Sequence, residues 1–338
     1  MHDLFKGLAT ALITPFNLDG SINIQDFCNL FDMQLQQGVS NFILFGSTGE
    51  GLSITSQERN EIFHAARQQQ AKAGLTRVRL IVTASHPSTN ATLQQVKQAV
   101  ELGADAILAT TPCYTKPTQQ GLYEHFIAVA DEAKIPVILY NNPGRTITEI
   151  SLENVMNLSK HNSIIGLKDS TNNLTRTITL RGSLSAREKE FIILAGDDEN
   201  AVMINLNGGN GCVSVASNVI PTLCNKVQEL CAAGKFADAA AEHAKLMPLY
   251  KALQCDSNPV PIKYAAFRAG FISSPMMRLP LVPLPEGRRP IIDHALDALL
   301  DLPPTNKNTV TEHSYIDRSS SFEMHRKRLL NQDKREND

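Results

Sequence analysis

The chain has 338 residues, 42% of them hydrophobic, and its 32 basic and 34 acidic side chains leave a net charge of −2. That is enough apolar material for a large core, and one α/β barrel uses about 250 residues as a single domain. Mixed, near-neutral charge excludes a basic nucleic-acid-binding face, and no apolar run approaches the ~18 residues that argue for a membrane span.

The six cysteines (Cys28, Cys113, Cys212, Cys224, Cys231 and Cys255) form no Cys-x-x-Cys pair, and none lies at zinc spacing from a histidine. No metal site is expected from them. The first residues, Met1 to Gly7, lack a charged region leading into an apolar one. With scattered cysteines, that implies free, mostly buried thiols in a reducing cytoplasm.

From residue 7 a short apolar run, a loop and a stretch of helical periodicity recur. Residues 8–13 form the first run. Ile24, Phe27, Cys28, Phe31 and Leu35 then fall at i, i+3, i+4, i+7 and i+11, on one helix face. Residues 42–45 form the second run, with a helix over 55–74. The third run, 78–82, leads to a helix over 90–103 striped by Leu93, Val96 and Val100. The fourth, 106–109, leads to a helix carrying Leu122, Phe126 and Val129. The last four runs are 137–140, 164–168, 191–195 and 212–215. Most are spaced as one βα unit of about 30 residues; the shorter last interval predicts a brief helix between strands seven and eight.

Eight strands alternating with helices admit a closed barrel or an open doubly wound sheet. One uninterrupted series of eight units predicts the closed form, a (β/α)8 TIM barrel of class α/β over residues 1–222. Residues 223–233, 236–253, 261–270 and 291–300 read as helices with no further strand. Residues 223–302 are therefore expected to form a helical region packed on the barrel, ended by Pro303-Pro304. Residues 303–338 are polar and highly charged and read as a mobile tail, with one helical pattern over 322–332.

In such a barrel the chemistry sits at the C-terminal ends of the strands. Polar and glycine-rich clusters lie there: Gly46-Ser47-Thr48-Gly49-Glu50, Thr110-Thr111-Pro112-Cys113-Tyr114, Tyr140-Asn141-Asn142-Pro143-Gly144-Arg145-Thr146, Lys168-Asp169-Ser170-Thr171 and Gly196-Asp197-Asp198-Glu199-Asn200. In the sixth strand, alternation puts Ile164, Gly166 and Lys168 on one face and Ile165 and Leu167 on the other. Lys168 has two readings. It is a strand-end lysine reaching water, or a desolvated amine with a lowered pKa, ready to form a Schiff base with a carbonyl substrate.

The other clusters have plain readings too. Residues 46–50 suit a tight turn, and Tyr140 an ordinary strand aromatic with a satisfied hydroxyl. Asp197-Asp198-Glu199 suits a helix N-cap with an acidic first turn better than a metal cluster. Gly208-Gly209-Asn210-Gly211 invites a phosphate site but matches neither Gly-x-Gly-x-x-Gly nor the P-loop.

In combination, Gly-Ser-Thr-Gly-Glu (46–50), Tyr-Asn-Asn-Pro-Gly-Arg-Thr (140–146), Gly-Leu-Lys-Asp-Ser-Thr (166–171), Ala-Gly-Asp-Asp (195–198) and Gly-Gly-Asn-Gly-Cys-Val-Ser-Val (208–215) have a family's order and spacing. Over about residues 4–300 the chain resembles the 4-hydroxy-tetrahydrodipicolinate synthase (dihydrodipicolinate synthase) family, in the superfamily that includes N-acetylneuraminate lyase. The resemblance implies a class I aldolase-type barrel that uses no cofactor and condenses pyruvate with L-aspartate 4-semialdehyde. It implies that Lys168 forms the imine with pyruvate and that Tyr140 shuttles protons. Ser47 and Thr48 would hold the pyruvate carboxylate, Arg145 the carboxylate of the semialdehyde, and Gly196 and Val213 would line the pyruvate pocket. Tyr114 would reach into a neighbouring subunit's site and join a relay with Tyr140 and the Ser47 hydroxyl, within a homotetramer built as a dimer of dimers. The roles suit the chemistry: an iminium is an electron sink, a phenol supplies acid and base, and a guanidinium fork fits a carboxylate.

Ser47 stands where synthases usually carry threonine; serine there is common in the lyase branch. Gly144-Arg145-Thr146, which lyases lack, favours the synthase. Three other readings stand beside it: a sugar-acid lyase or dehydratase of the same superfamily, a phosphate-binding barrel enzyme, and a barrel that binds pyruvate-like acids without turnover. The retained lysine, tyrosines and arginine argue against the last. The resemblance also bears on inhibition by lysine. Cys113 precedes Tyr114 where lysine-sensitive members carry tyrosine. Ser56 and Arg59 stand for pocket histidines and Gln94 for a glutamate; Asn90 alone is retained. Weak or absent inhibition is expected, because the carboxylate partner of a cation is lost and an arginine repels it.

Overall fold

The eight apolar runs are eight parallel strands: β1 (Gly7–Ala11), β2 (Asn41–Leu44), β3 (Arg79–Ala84), β4 (Ala106–Thr110), β5 (Val137–Asn141), β6 (Ile164–Asp169), β7 (Ile192–Ala195) and β8 (Gly211–Ser214). They pair in sequence order, and β8 returns to β1 to close the barrel. The computed structural model describes residues 2–184 and 190–300. The expected tail from 303, its helical pattern over 322–332 and the Pro303-Pro304 stop lie outside the described residues.

Almost every strand residue is buried, because helices cover the outside of the sheet and side chains fill the inside. The strands therefore read as unbroken apolar runs rather than alternating ones. The inner layer contains Ala9, Ala11, Ile43, Ile81, Leu108, Ile138, Tyr140, Ile165, Ile192, Leu194 and Val213, with Phe5 joining from the turn before β1. The outer layer, between sheet and helices, is the larger cluster.

In β6 the strict alternation expected from the sequence fails. Val137 pairs with Ile164, but the next residue, Ile138, pairs with Gly166, leaving Ile165 as a bulge. Ile164 thus joins Leu167 in the outer layer while Ile165 turns inward. Gly166 sits where a Cβ would lie 2.7 Å from Ile192 O, so no larger residue fits beside β7 at this point. Beyond the bulge, register is regular, and Lys168 pairs with Tyr140 on one side and Leu194 on the other.

The periodic stripes become α1 (Ile24–Gln36), α2 (Ser56–Lys72), α3 (Thr89–Glu101) and α4 (Gln119–Ala133). Thr55 and Glu58 close a capping box at the start of α2. Between β5 and β6 stand two short helices, α5 (Pro143–Thr146) and α6 (Leu152–Leu158), followed after β6 by α7 (Leu174–Ser183). The helix between β7 and β8, α8 (Ala201–Leu206), is brief as its spacing predicts. Among the described residues four α-helices follow β8: α9 (Pro221–Ala232), α10 (Phe236–Ala252), α11 (Val260–Arg268) and α12 (Arg289–Asp297). α9 packs on β1 and α10, and α12 on α10 and α11. The segment before α11 comes back over the strand ends, which matters for the site. Among the described residues no helix is long and apolar enough to cross a membrane.

Candidate active site

A cavity of about 140 Å³ opens at the C-terminal ends of the strands and is lined by Lys168, Tyr140, Ser47, Thr48, Arg145 and Gly196, among others. Lys168 does not reach bulk water: it is 6% exposed, and its Nζ lies 4.1 Å from the centroid of the Tyr140 ring. The ammonium rests on a π face. Among the described residues no carboxylate forms a salt bridge with it. Tyr140 is also buried, and its Oη accepts a hydrogen bond from Asn142 Nδ2 at 2.8 Å. Burial pushes the phenol up, but the Lys168 ammonium and the Asn142 amide outweigh it, and the phenol settles below its ordinary value.

The loop after β2 carries Ser47 and Thr48. It is a tight turn, with Phe45 and Glu50 at positive φ, and a Cβ on Gly51 would lie 1.8 Å from Phe45 O. That, with a Cβ on Gly49 meeting Leu12 O at 2.8 Å, explains these two glycines sterically. Ser47 is exposed at the cavity and Thr48 buried. Glu50 does not face the cavity. It forms a buried ion pair with Lys263 of α11, and its other oxygen accepts from the backbone N–H of Arg278 at 3.1 Å.

Asn142 caps α5 with its side-chain oxygen, Pro143 opens the helix, and Arg145 projects at the rim. The guanidinium donates to Asn258 O at 2.9 Å, and Asn258 Nδ2 donates to Thr48 Oγ1 at 3.0 Å. Asn258 therefore ties together two residues expected to bind different carboxylates. It was not legible as a site residue. The signal that could have marked its segment is Asn258-Pro259-Val260-Pro261, in which one proline caps and the next opens α11.

Asp197 stands at the N-cap position of a short 3-10 turn (Asp198–Asn200), with Asp198 and Glu199 in its first turn as expected, but it makes no side-chain capping bond. Its neighbour Asp198 instead accepts from the backbone N–H groups of Val215 and Ala216, at 2.8 and 3.0 Å, and so holds the end of β8 against that of β7. Glu199 accepts from Gln254 Nε2 at 2.8 Å. Burial, reinforced by Asp198 and Glu199 and opposed by Lys168, raises the Asp197 carboxyl above its ordinary value. All three acids line the cavity. Among the described residues no group of three or more His, Cys, Asp or Glu is placed to hold a metal ion.

Two further expected site residues stand apart from the cavity wall. Val213 belongs to the inner barrel layer with Tyr140. Tyr114 is 87% exposed, at φ 70°, on the loop after β4. Gly208 and Gly209 precede β8 and Gly211 opens it, at the opposite end of the strand from the cavity, and they serve packing: a Cβ on Gly211 would lie 2.1 Å from Gly7 O. The phosphate reading is not supported by this position. Arg59 is buried under Phe45, its guanidinium 5.0 Å from the ring centroid and donating to Gly51 O at 2.7 Å. Ser56, Asn90 and Gln94 are exposed.

A family model described as the dihydrodipicolinate synthetase family matches residues 4–299. A 4-hydroxy-tetrahydrodipicolinate synthase of Bartonella bacilliformis is 39% identical over 294 residues, 87% of this chain and 97% of its own. Among solved structures, a dihydrodipicolinate synthase from Aquifex aeolicus superposes with a TM-score of 0.83 at 32% identity, covering 89% of this chain and all of its own. The chloride-inhibited dihydrodipicolinate synthase of Acinetobacter baumannii, complexed with pyruvate, gives 0.82 at 32% identity, with 87% and 98% covered.

Proposed function

Because the chain belongs to the dihydrodipicolinate synthetase family, we propose that it condenses pyruvate, held as an imine on Lys168, with L-aspartate 4-semialdehyde to give 4-hydroxy-tetrahydrodipicolinate. One observation carries the reading. A buried lysine with no bonded carboxylate lies on the Tyr140 ring, in a cavity that also holds Arg145.

The steps follow from what each group can do. Lys168 Nζ, once neutral, attacks the keto carbon of pyruvate, and the carbinolamine loses water to give the imine. Tyr140 gives its proton to the departing hydroxyl and later takes one from the methyl carbon, which becomes the enamine nucleophile. Ser47 and Thr48, on a loop anchored by the Glu50–Lys263 pair, hold the pyruvate carboxylate. The enamine carbon attacks the aldehyde, whose oxygen takes a proton from Tyr140, while the Arg145 guanidinium holds the second carboxylate; the semialdehyde's own amine then attacks the imine carbon and displaces Lys168 Nζ, closing the ring. Gly196 leaves room at the wall, and Val213 backs the pocket from the inner layer. The covalent imine supplies the electron sink, so the reading requires no cofactor. The exposure and left-handed backbone of Tyr114 support its service to a neighbouring copy, and hence a dimer; the family resemblance extends this to a dimer of dimers, and the setting is the cytoplasm.

Borohydride added with pyruvate is expected to fix an adduct on the peptide containing Lys168, read by mass. Product identification after supplying pyruvate with a panel of aldehydes is expected to select aspartate semialdehyde. An adduct on another lysine, or preferential turnover of N-acetylmannosamine, would overturn the reading.

A further inference from the structure

Ser170 follows Lys168 by two positions, so it projects to the same interior side of β6. Its N–H donates to Asn141 O at 2.9 Å, and Gly196 N–H donates to Asp169 O at 2.8 Å, so strand pairing continues past the ends of β6 and β7. Ser170 is 9% exposed, and its Oγ is buried without completing a hydrogen bond. A buried hydroxyl left unpaired calls for an explanation. The room for it comes from Gly196, where a Cβ would lie 1.9 Å from the Ser170 Oγ.

Two groups flank this hydroxyl. Tyr140 Oη accepts from Asn142, which leaves the phenol's own proton free to be donated. The Asp197 carboxyl follows directly on Gly196, and its side chain lines the cavity. Ser170 lies close enough to favour the ionised form of both groups.

We propose that Ser170 is a positioning residue that passes a proton between Asp197 and Tyr140 within a single chain. The proposal rests on the synthase reading above. When the carbinolamine expels water, the Tyr140 phenol gives its proton to the departing hydroxyl. The phenolate takes the Ser170 proton, and Ser170 Oγ takes that of the Asp197 carboxyl. Each oxygen that loses an O–H bond gains one or ends as the carboxylate, and no electrons change carrier; when Tyr140 later takes the methyl proton the path runs in reverse, the phenol's proton passing to Ser170 and that of Ser170 to the Asp197 carboxylate. Asp197, at the cavity wall, exchanges with solvent. The charges that face this path are the Lys168 nitrogen, cationic as the free ammonium and again as the iminium once water leaves, which favours the phenolate, and Asp198 and Glu199, which help Asp197 keep its proton.

The test uses Ser170→Ala, Asp197→Asn and the double variant of the full chain, with kcat and KM for pyruvate measured from acid to alkaline pH. Ser170→Ala is expected to lower kcat about tenfold, with KM within about twofold. Its alkaline limb is expected to move to higher pH, because a group favouring the phenolate is gone. Adding Asp197→Asn to Ser170→Ala is expected to cost no further activity if the two act in one path. An unchanged kcat and pH profile in Ser170→Ala, or losses that multiply in the double variant, would overturn the link. So would a loss confined to thermal stability. Failure of the unmutated chain to trap pyruvate on Lys168 would instead strike the synthase reading, so the two failures are distinguishable.

Discussion

Among the described residues two buried lysines sit on aromatic rings, and one of them faces a cavity. Lys168 Nζ lies 4.1 Å from the centroid of Tyr140, and Lys263 Nζ lies 4.0 Å from that of Phe16. Lys263 is fully buried and ion-paired with Glu50, and Arg278 stacks on the same Phe16 ring at 4.6 Å. Burial pulls the Lys263 ammonium down to about 8, against the pull of Glu50. A lowered pKa therefore marks a structural lysine here, which shows why a perturbed value alone does not locate a site. The difference lies in what occupies the nitrogen. Glu50 holds Lys263 in place and excludes a substrate. Lys168 has a phenol face and open volume before it and no carboxylate bonded to it, so its nitrogen is available to a carbonyl carbon.

Replacing each lysine separates the two roles. Lys168→Ala is expected to lower activity by about a thousandfold or more, the scale on which losing a covalent nucleophile acts, with thermal unfolding near that of the parent. Abundant turnover without Lys168 would break the comparison. Lys263→Ala leaves Glu50 buried and uncompensated, so about 3–5 kcal/mol of folding stability should disappear in urea titrations. Its folded fraction should still form the borohydride adduct on Lys168, and the double variant Glu50→Gln/Lys263→Met should recover part of the loss. If Lys263→Ala stops trapping while remaining fully folded, Lys263 acts in the chemistry and the distinction fails.

The next effect is smaller and confined to one half-reaction. Arg145→Ala removes a charge-assisted contact worth about 1.5–3 kcal/mol. It should weaken use of aspartate semialdehyde far more than imine formation with pyruvate, measured by trapping. Equal damage to both would place Arg145 on the Lys168 side of the chemistry. The smallest expected effect is none. L-lysine titrated into the steady-state assay should not inhibit below millimolar concentration, because Gln94 offers no charge and Arg59 is a buried cation. Sub-millimolar inhibition would show that other residues accept the amino acid.

Much of this was legible because the signals are local. A buried parallel strand needs only a few consecutive apolar residues, and a helix only its own 3.6-residue stripe, so eight βα units could be counted along the chain. Lys168, Tyr140, Ser47, Thr48 and Arg145 stand at strand ends, where the barrel collects its chemistry. The bulge at Ile165 was not legible, since it depends on how β6 meets β5. Nor was the role of Asp198, whose acidic first-turn pattern reads as a cap until β8 is seen to present Val215 and Ala216 to it.

The sequence by itself determined the order of strands and helices, the end of the barrel that carries the chemistry, and the residue types gathered there. Tertiary structure alone decided which nitrogen meets which oxygen across long gaps. Asn258 reaches Thr48 over 210 positions and Arg145 over 113, and Lys263 reaches Glu50 over 213. Local periodicity says nothing about such distances, because they are set only when the barrel closes and the segment before α11 folds back across its mouth. The same closure gives one buried lysine a carboxylate and leaves the other facing a cavity.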